Sequence, residues 1–214
     1  MKDTTREYLR SLGDRYPALR DSGAVDKTES AFSVLYECCR TGKKIMICGN
    51  GGSCSDAEHI VGELMKSFMK KRPLKDGLKK ELERYGEEGR ALASKLEGSV
   101  RAISLCSHPS LSYALINDTD GEMTFAQQLQ GLGDSDDVLI AVSTSGNSRN
   151  CVYAAITAKA MGIKVIALTG IGGGRLADIA DVTVNVPEKE TYKVQEYHLP
   201  VYHCLCAMLE EELY

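Results

Sequence analysis

The sequence predicts an α/β fold, a three-layer α/β/α sandwich around a five-stranded parallel sheet, and three observations lead there. Five apolar runs read as buried strands. Helical patterns separate most of them, and that alternation demands crossover connections and parallel pairing. Two of the runs lead directly into turns crowded with glycine, serine and asparagine, and each turn runs on into a helical pattern. The chain has 214 residues, 43% of them hydrophobic, enough for one such domain and too few for two. The reading is therefore a single domain over residues 1–214, with N-terminal helices over 1–42 and a charged helical insert over 71–98.

Taken in order, residues 4–41 give two helical segments. Tyr8, Leu9 and Leu12 form the apolar stripe of the first, and Ala31, Val34, Leu35 and Cys38 that of the second. Arg40 and Gly42 supply a basic last turn and a glycine stop. The first strand follows over 43–47 and opens into the turn Cys48-Gly49-Asn50-Gly51-Gly52-Ser53. A helix is expected over 55–65, where polar caps and acidic residues come first. Leucines at 74, 78 and 82 within a dense charge run predict a surface helix with one apolar edge docked, a lid or an arm over a neighbouring subunit, against the alternative of a solvated surface hairpin or helix. Further strands are expected over 100–106, 137–142, 164–169 and 181–186. The 137–142 strand opens into Ser143-Thr144-Ser145-Gly146-Asn147-Ser148, with a helix from Cys151 onward. A turn at Gly172-Gly173-Gly174 starts a short helix, and residues 191–213 form a long last helix. Pro200 lies inside it and is expected to kink it, at a cost of about 3 kcal/mol.

Composition excludes several functions. A net charge of −4 argues against a nucleic-acid surface. No stretch approaches the roughly 20 apolar residues of a membrane span, and the first residues lack the apolar core of a signal peptide. The expected compartment is the cytoplasm. The eight cysteines are read as reduced and mostly buried thiols, with Cys204 and Cys206 as packing residues. Cys54, at the start of a helix, is the candidate for a reactive thiol, against the alternative of an inert buried one.

Both glycine–serine turns are candidate phosphate cradles, because backbone N–H groups, hydroxyls and a helix N-terminus converge there. Two on one sheet can hold a sugar phosphate. Taken alone, the second also reads as a merely capped helix start. The first is a poor dinucleotide loop, since Cys54 stands where the third glycine of that fingerprint belongs. His59 and Glu63, four apart, share a helix face. Gln195 and His203, eight apart, are separated by about 80° in projection. Asn117-Asp118, without further context, is an Asx-capped turn.

Taken together, four pieces in this order and spacing resemble the SIS (sugar isomerase) domain family, and within it the phosphoheptose isomerases acting on sedoheptulose 7-phosphate. They are the first turn with Asp56-Ala57, His59 and Glu63-Leu64; Asn117-Asp118 with Phe125-Ala126, Gln128 and Leu129; the second turn; and Val194-Gln195-Glu196 with His198 and His203. The resemblance covers about residues 30–213 apart from the insert.

It implies conversion of sedoheptulose 7-phosphate to D-glycero-D-manno-heptose 7-phosphate through an enediol. Ser143, Thr144, Ser145 and Ser148 would hold the phosphate. Asn50, Gly51, Gly52, Ser53, Asn117 and Asp118 would touch the sugar chain, with Glu63 and Gln195 also at the substrate. Glu63 would be the carbon base and His203 its acid–base partner. His59, Glu63, Gln195 and His203 would be the ligands of a zinc ion, and the assembly a homotetramer. The resemblance leaves room for a non-catalytic SIS protein that binds a partner such as a replication initiator, and for an isomerase or sensor of another sugar phosphate. The chain departs from the family pattern at Cys54, at Tyr192-Lys193, at Pro200 and in the insert.

Overall fold

The computed structural model, which describes all residues 1–214, contains five strands: Ile45–Gly49 (β1), Ala102–Ser104 (β2), Val138–Val142 (β3), Lys164–Thr169 (β4) and Val182–Asn185 (β5). They form one parallel sheet in the order β2-β1-β3-β4-β5. The strand order reverses between β1 and β3, and open α/β sheets bind ligands at such a switch point, beyond the strands' carboxyl ends. Register sets the two turns side by side there, since Gly49 pairs with Val142 and both strands end level.

Helices cover both faces, and alternate residues of each strand enter one core or the other. Ile45, Ile47, Val138, Ile140, Val142, Ile166 and Leu168 pack under Asp3–Arg15 (α1), Pro17–Asp21 (α2), Ala24–Arg40 (α3), Gly52–Met65 (α4) and Thr191–Leu213 (α11). The intervening Met46, Cys48, Leu139, Ala141, Val165 and Ala167 pack under Thr124–Leu132 (α8), Arg149–Ala160 (α9) and Gly174–Ile179 (α10). The two cradle-bearing helices, α4 and α9, thus sit on opposite faces with their N-termini at one edge.

The expected elements differ in detail from those found. The N-terminal arm has three helices, because Pro17 starts a new one. Cys48 and Gly49 end strand β1, and Ser53 and Cys54 lie in the first turn of α4. The insert forms two short helices, Asp76–Glu83 (α5) and Gly86–Lys95 (α6), and α5 buries no residue. The apolar edge is only partly covered within the chain: Leu74 and Leu82 are half-buried and Leu78 is 50% exposed. Pro109–Asp118 (α7) was not foreseen, and Asn117 and Asp118 are its last two residues. Helix α11 runs on through Pro200. Val194, His198, Val201, Tyr202 and all of 204–210 are buried on it, so packing outweighs the bond that proline removes.

His198 lies fully buried on α11, with neither ring nitrogen in good hydrogen-bond geometry. Burial pushes its pKa down to about 4, offset in part by the Thr169 main chain. Because the folded ring stays neutral where an unfolded histidine, with a pKa of about 6.5, takes a proton, this contribution is complete above that value and is lost toward the folded pKa. Urea unfolding of the protein should lose about 3 kcal/mol across that acid window. His198→Phe should show a shallower dependence, and equal pH slopes in the two proteins would contradict this account.

Candidate active site

The first cradle is the turn Asn50-Gly51 between β1 and α4. Gln195 of α11 lies over it: a Cβ added at Gly52 would stand 2.5 Å from the Gln195 amide nitrogen, so only glycine leaves the amide its place. In the second cradle the Ser143 and Ser148 hydroxyls are 3.0 Å apart. Ser148 stands at the N-cap of α9, yet its side chain makes no capping bond, which sets aside the reading of a merely capped helix. Gly146 has φ +67, and its Cα approaches the Gly173 carbonyl too closely for any side chain. Thr144 is half-buried and Ser145 exposed, and the Ser145 hydroxyl accepts from the Asn147 N–H at 3.2 Å. A reciprocal amide pair ties the two cradles together: Asn50 donates to Asn150 at 2.9 Å and Asn150 to Asn50 at 2.8 Å.

Helices α4 and α11 bring three of the four expected ligands together. His59 Nε2 lies 3.3 Å from Glu63 Oε1 and 3.4 Å from His203 Nε2. In a tetrahedron with metal bonds of about 2.05 Å the ligand atoms stand about 3.35 Å apart, so both separations suit a shared zinc ion. The donor chemistry, two imidazoles and a carboxylate, also suits it. As it stands, the structure has no group of three or more His, Cys, Asp or Glu side chains placed to hold a metal; His59 touches both Glu63 and His203, and Gln195 is turned to the first cradle. Burial first, and then the His59 charge, pull the His203 pKa down, against a smaller upward pull from Glu63. A cavity of about 480 Å³ between α1 and α11 reaches His203, with Arg15, Tyr16, Phe68 and Pro200 on its wall.

A buried ion pair holds this geometry. Arg72, 1% exposed, donates from Nε to Glu210 at 2.7 Å, from Nη1 to the Leu64 carbonyl at 2.6 Å and from Nη2 to the Glu63 carbonyl at 2.9 Å. It satisfies last-turn carbonyls of α4 that have no partner within the helix. Glu210 also accepts from the N–H groups of Phe68, Met69 and Lys70 at 2.8, 2.6 and 3.0 Å. Burial raises its pKa, but these N–H donors and Arg72 hold it below the ordinary carboxylate value.

Sequence reasoning missed Arg72 and Glu210 because each stands in a charge run that reads as solvated. The one available signal was spacing: Glu210 lies seven residues after His203 and so shares its stripe. Asp56, Asn150 and Tyr202 were missed as well. Asn117 and Asp118 are exposed and bond each other at 2.7 Å, with no bond to either cradle. All eight cysteines are free, and Cys54 is half-buried beside Cys106, whose thiol burial and the Cys54 charge push up to about 12.

Comparison with known proteins gives a consistent picture. The family model described as SIS domain matches residues 7–103 and 92–170. The phosphoheptose isomerase of Akkermansia muciniphila is 32% identical over 214 residues, spanning 100% of this chain and 99% of its own. That of Nitratiruptor sp. is 37% identical over 182 residues, 85% of this chain and 84% of its own. The solved phosphoheptose isomerase of Neisseria gonorrhoeae superposes with a TM-score of 0.72 at 30% identity, covering 94% of this chain and 97% of that one.

The amide bridge between the cradles generates a test. Asn150→Ala should weaken binding of a phosphorylated sugar by about fivefold to tenfold, the worth of roughly one hydrogen bond, in a calorimetric titration, while the melting temperature moves little. Unchanged affinity would show that the bridge does not hold the cradles in their binding geometry.

Proposed function

The chain belongs to the phosphoheptose isomerases of the SIS-domain family, and from that premise we propose how its residues divide the work. It is a phosphosugar isomerase of the ketose–aldose type, converting sedoheptulose 7-phosphate to D-glycero-D-manno-heptose 7-phosphate. The observation that carries the reading is the meeting of His59, Glu63 and His203 across α4 and α11, beside a cradle at the sheet's switch point.

The phosphate rests on Ser143, Thr144, Ser145 and Ser148 and on the N–H groups that open α9. Asn50, Gly51, Gly52, Ser53 and Gln195 hold the sugar chain at the first cradle, and Asn117 and Asp118 contact it from α7. Glu63 takes the C1 proton of the ketose while His203 gives a proton to the C2 oxygen, leaving an enediol. His203 then recovers the proton of the C1 hydroxyl, and Glu63 delivers its proton to C2, so protons balance and no redox partner is needed. His59, Glu63, Gln195 and His203 would hold a zinc ion, which when bound polarises the carbonyl and offsets negative charge on the two reacting oxygens.

We also infer a homotetramer in the cytoplasm. Leu111, Tyr113 and Ile116 on α7 and Leu78, Tyr85 and Leu92 on the α5–α6 hairpin are exposed apolar surface of the kind subunits cover. No helix is long and apolar enough to cross a membrane.

Replacing the base tests the assignment. Glu63→Gln should lower kcat on sedoheptulose 7-phosphate by about 10²- to 10⁴-fold, in an assay that quantifies the aldose product, with KM changed little. Turnover near the parental rate would refute Glu63 as the base. Treatment with a chelator should lower the rate and added zinc restore it; a rate indifferent to both would remove the metal from the scheme.

A further inference from the structure

The Tyr202 side chain, 1% exposed on α11, packs against both histidines of the site, which also touch each other. Its ring meets His59 edge-on at 5.5 Å and His203 edge-on at 5.0 Å between centroids. Its hydroxyl lies 3.0 Å from His59 Nδ1 and 3.3 Å from Asp56 Oδ1. Asp56 and His59 stand three apart on α4, so one residue of α11 bridges two of α4.

We propose that Tyr202 is a positioning residue that donates its proton to Asp56 and accepts from His59 Nδ1–H, fixing His59 as the tautomer whose Nε2 lone pair faces Glu63 and His203. The inference rests on the isomerase reading for its purpose, though not for its geometry.

The polarity follows from counting protons. A tyrosine hydroxyl has one, and an ionised carboxylate accepts only. Asp56 has no other hydrogen-bond donor, and its Oδ2 is buried without a partner, so the hydroxyl proton is drawn to that carboxylate. Nothing remains for His59 Nδ1 to accept, and a neutral ring must therefore carry its proton there. Nε2 is then an acceptor held 3.3 Å from a second acceptor, Glu63 Oε1, an arrangement that calls for a cation or a shared proton between them. Histidines that ligate metals commonly donate their other N–H in this manner, and here a tyrosine relays the carboxylate's pull. The opposite polarity, with a protonated Asp56 and the hydroxyl donating to His59, would put the ring proton on Nε2 and block it.

Long-range proton–nitrogen NMR of the metal-free, nitrogen-15-labelled protein in mildly alkaline solution reads the tautomer directly. The expected result is a protonated Nδ1 and an unprotonated Nε2 on His59. Asp56→Leu should turn the hydroxyl toward His59 and move the ring proton to Nε2. Tyr202→Phe, which keeps the ring and its packing, should release the preference and lower isomerase activity by about ten- to a hundredfold. A wild-type His59 protonated on Nε2 would overturn the proposal without any variant needing to fold, and so would an unchanged tautomer in either variant. Parental activity in a folded Tyr202→Phe protein would overturn its role in the reaction. The NMR result needs neither substrate nor metal, so a protein without isomerase activity would leave the tautomer assignment standing.

Discussion

One buried ion pair sets the geometry on which the site depends. Arg72 and Glu210 join the end of α4 to the last turns of α11, and the guanidinium reaches the main chain of Glu63 itself. Such a pair adds little net stability over an apolar packing, because desolvating both charges offsets their attraction, while removing one partner costs roughly 3–5 kcal/mol. Its value lies in position. Six hydrogen bonds around two side chains leave the loop after α4 one arrangement, and with it the distance between Glu63 on one helix and His203, its proposed acid–base partner, on the other.

The sheet supplies the other half of the site. Level ends of β1 and β3 place the two glycine–serine turns side by side, and the helices that follow leave on opposite faces. The proposed phosphate site, built of hydroxyls and N–H groups, needs no lysine, in keeping with a chain whose net charge is −4. The proposed chemistry lies where α4 and α11 cross, with Gln195 of α11 lying on the first cradle and His203 of the same helix eight residues further on.

Much of this was legible in the sequence. The five apolar runs became the five strands, shifted at most by two residues at their ends, because buried parallel strands leave little ambiguity in hydrophobic pattern. His59 and Glu63 meet because helical spacing requires it, and His203 meets them although Pro200 stands between it and Gln195. What stayed hidden depends on tertiary pairing. Arg72 finds Glu210 across 138 positions and Tyr202 finds His59 across 143, and no local pattern encodes either. Arg72 stood in a basic run, Glu210 in an acidic one, and Tyr202 beside a histidine where a packing aromatic is unremarkable. For the insert the charge pattern left a single helix and a solvated hairpin both open, and Gly86 with φ +73 breaks it into two helices.

Steady-state kinetics of Glu210→Gln, at a temperature where circular dichroism shows the variant folded, tests the central claim most directly. If the clamp holds Glu63 in register with His203, kcat for sedoheptulose 7-phosphate falls by about tenfold or more with KM little changed, as small misplacements of a reacting group do. A folded Glu210→Gln protein that turns over at the parental rate would contradict the account.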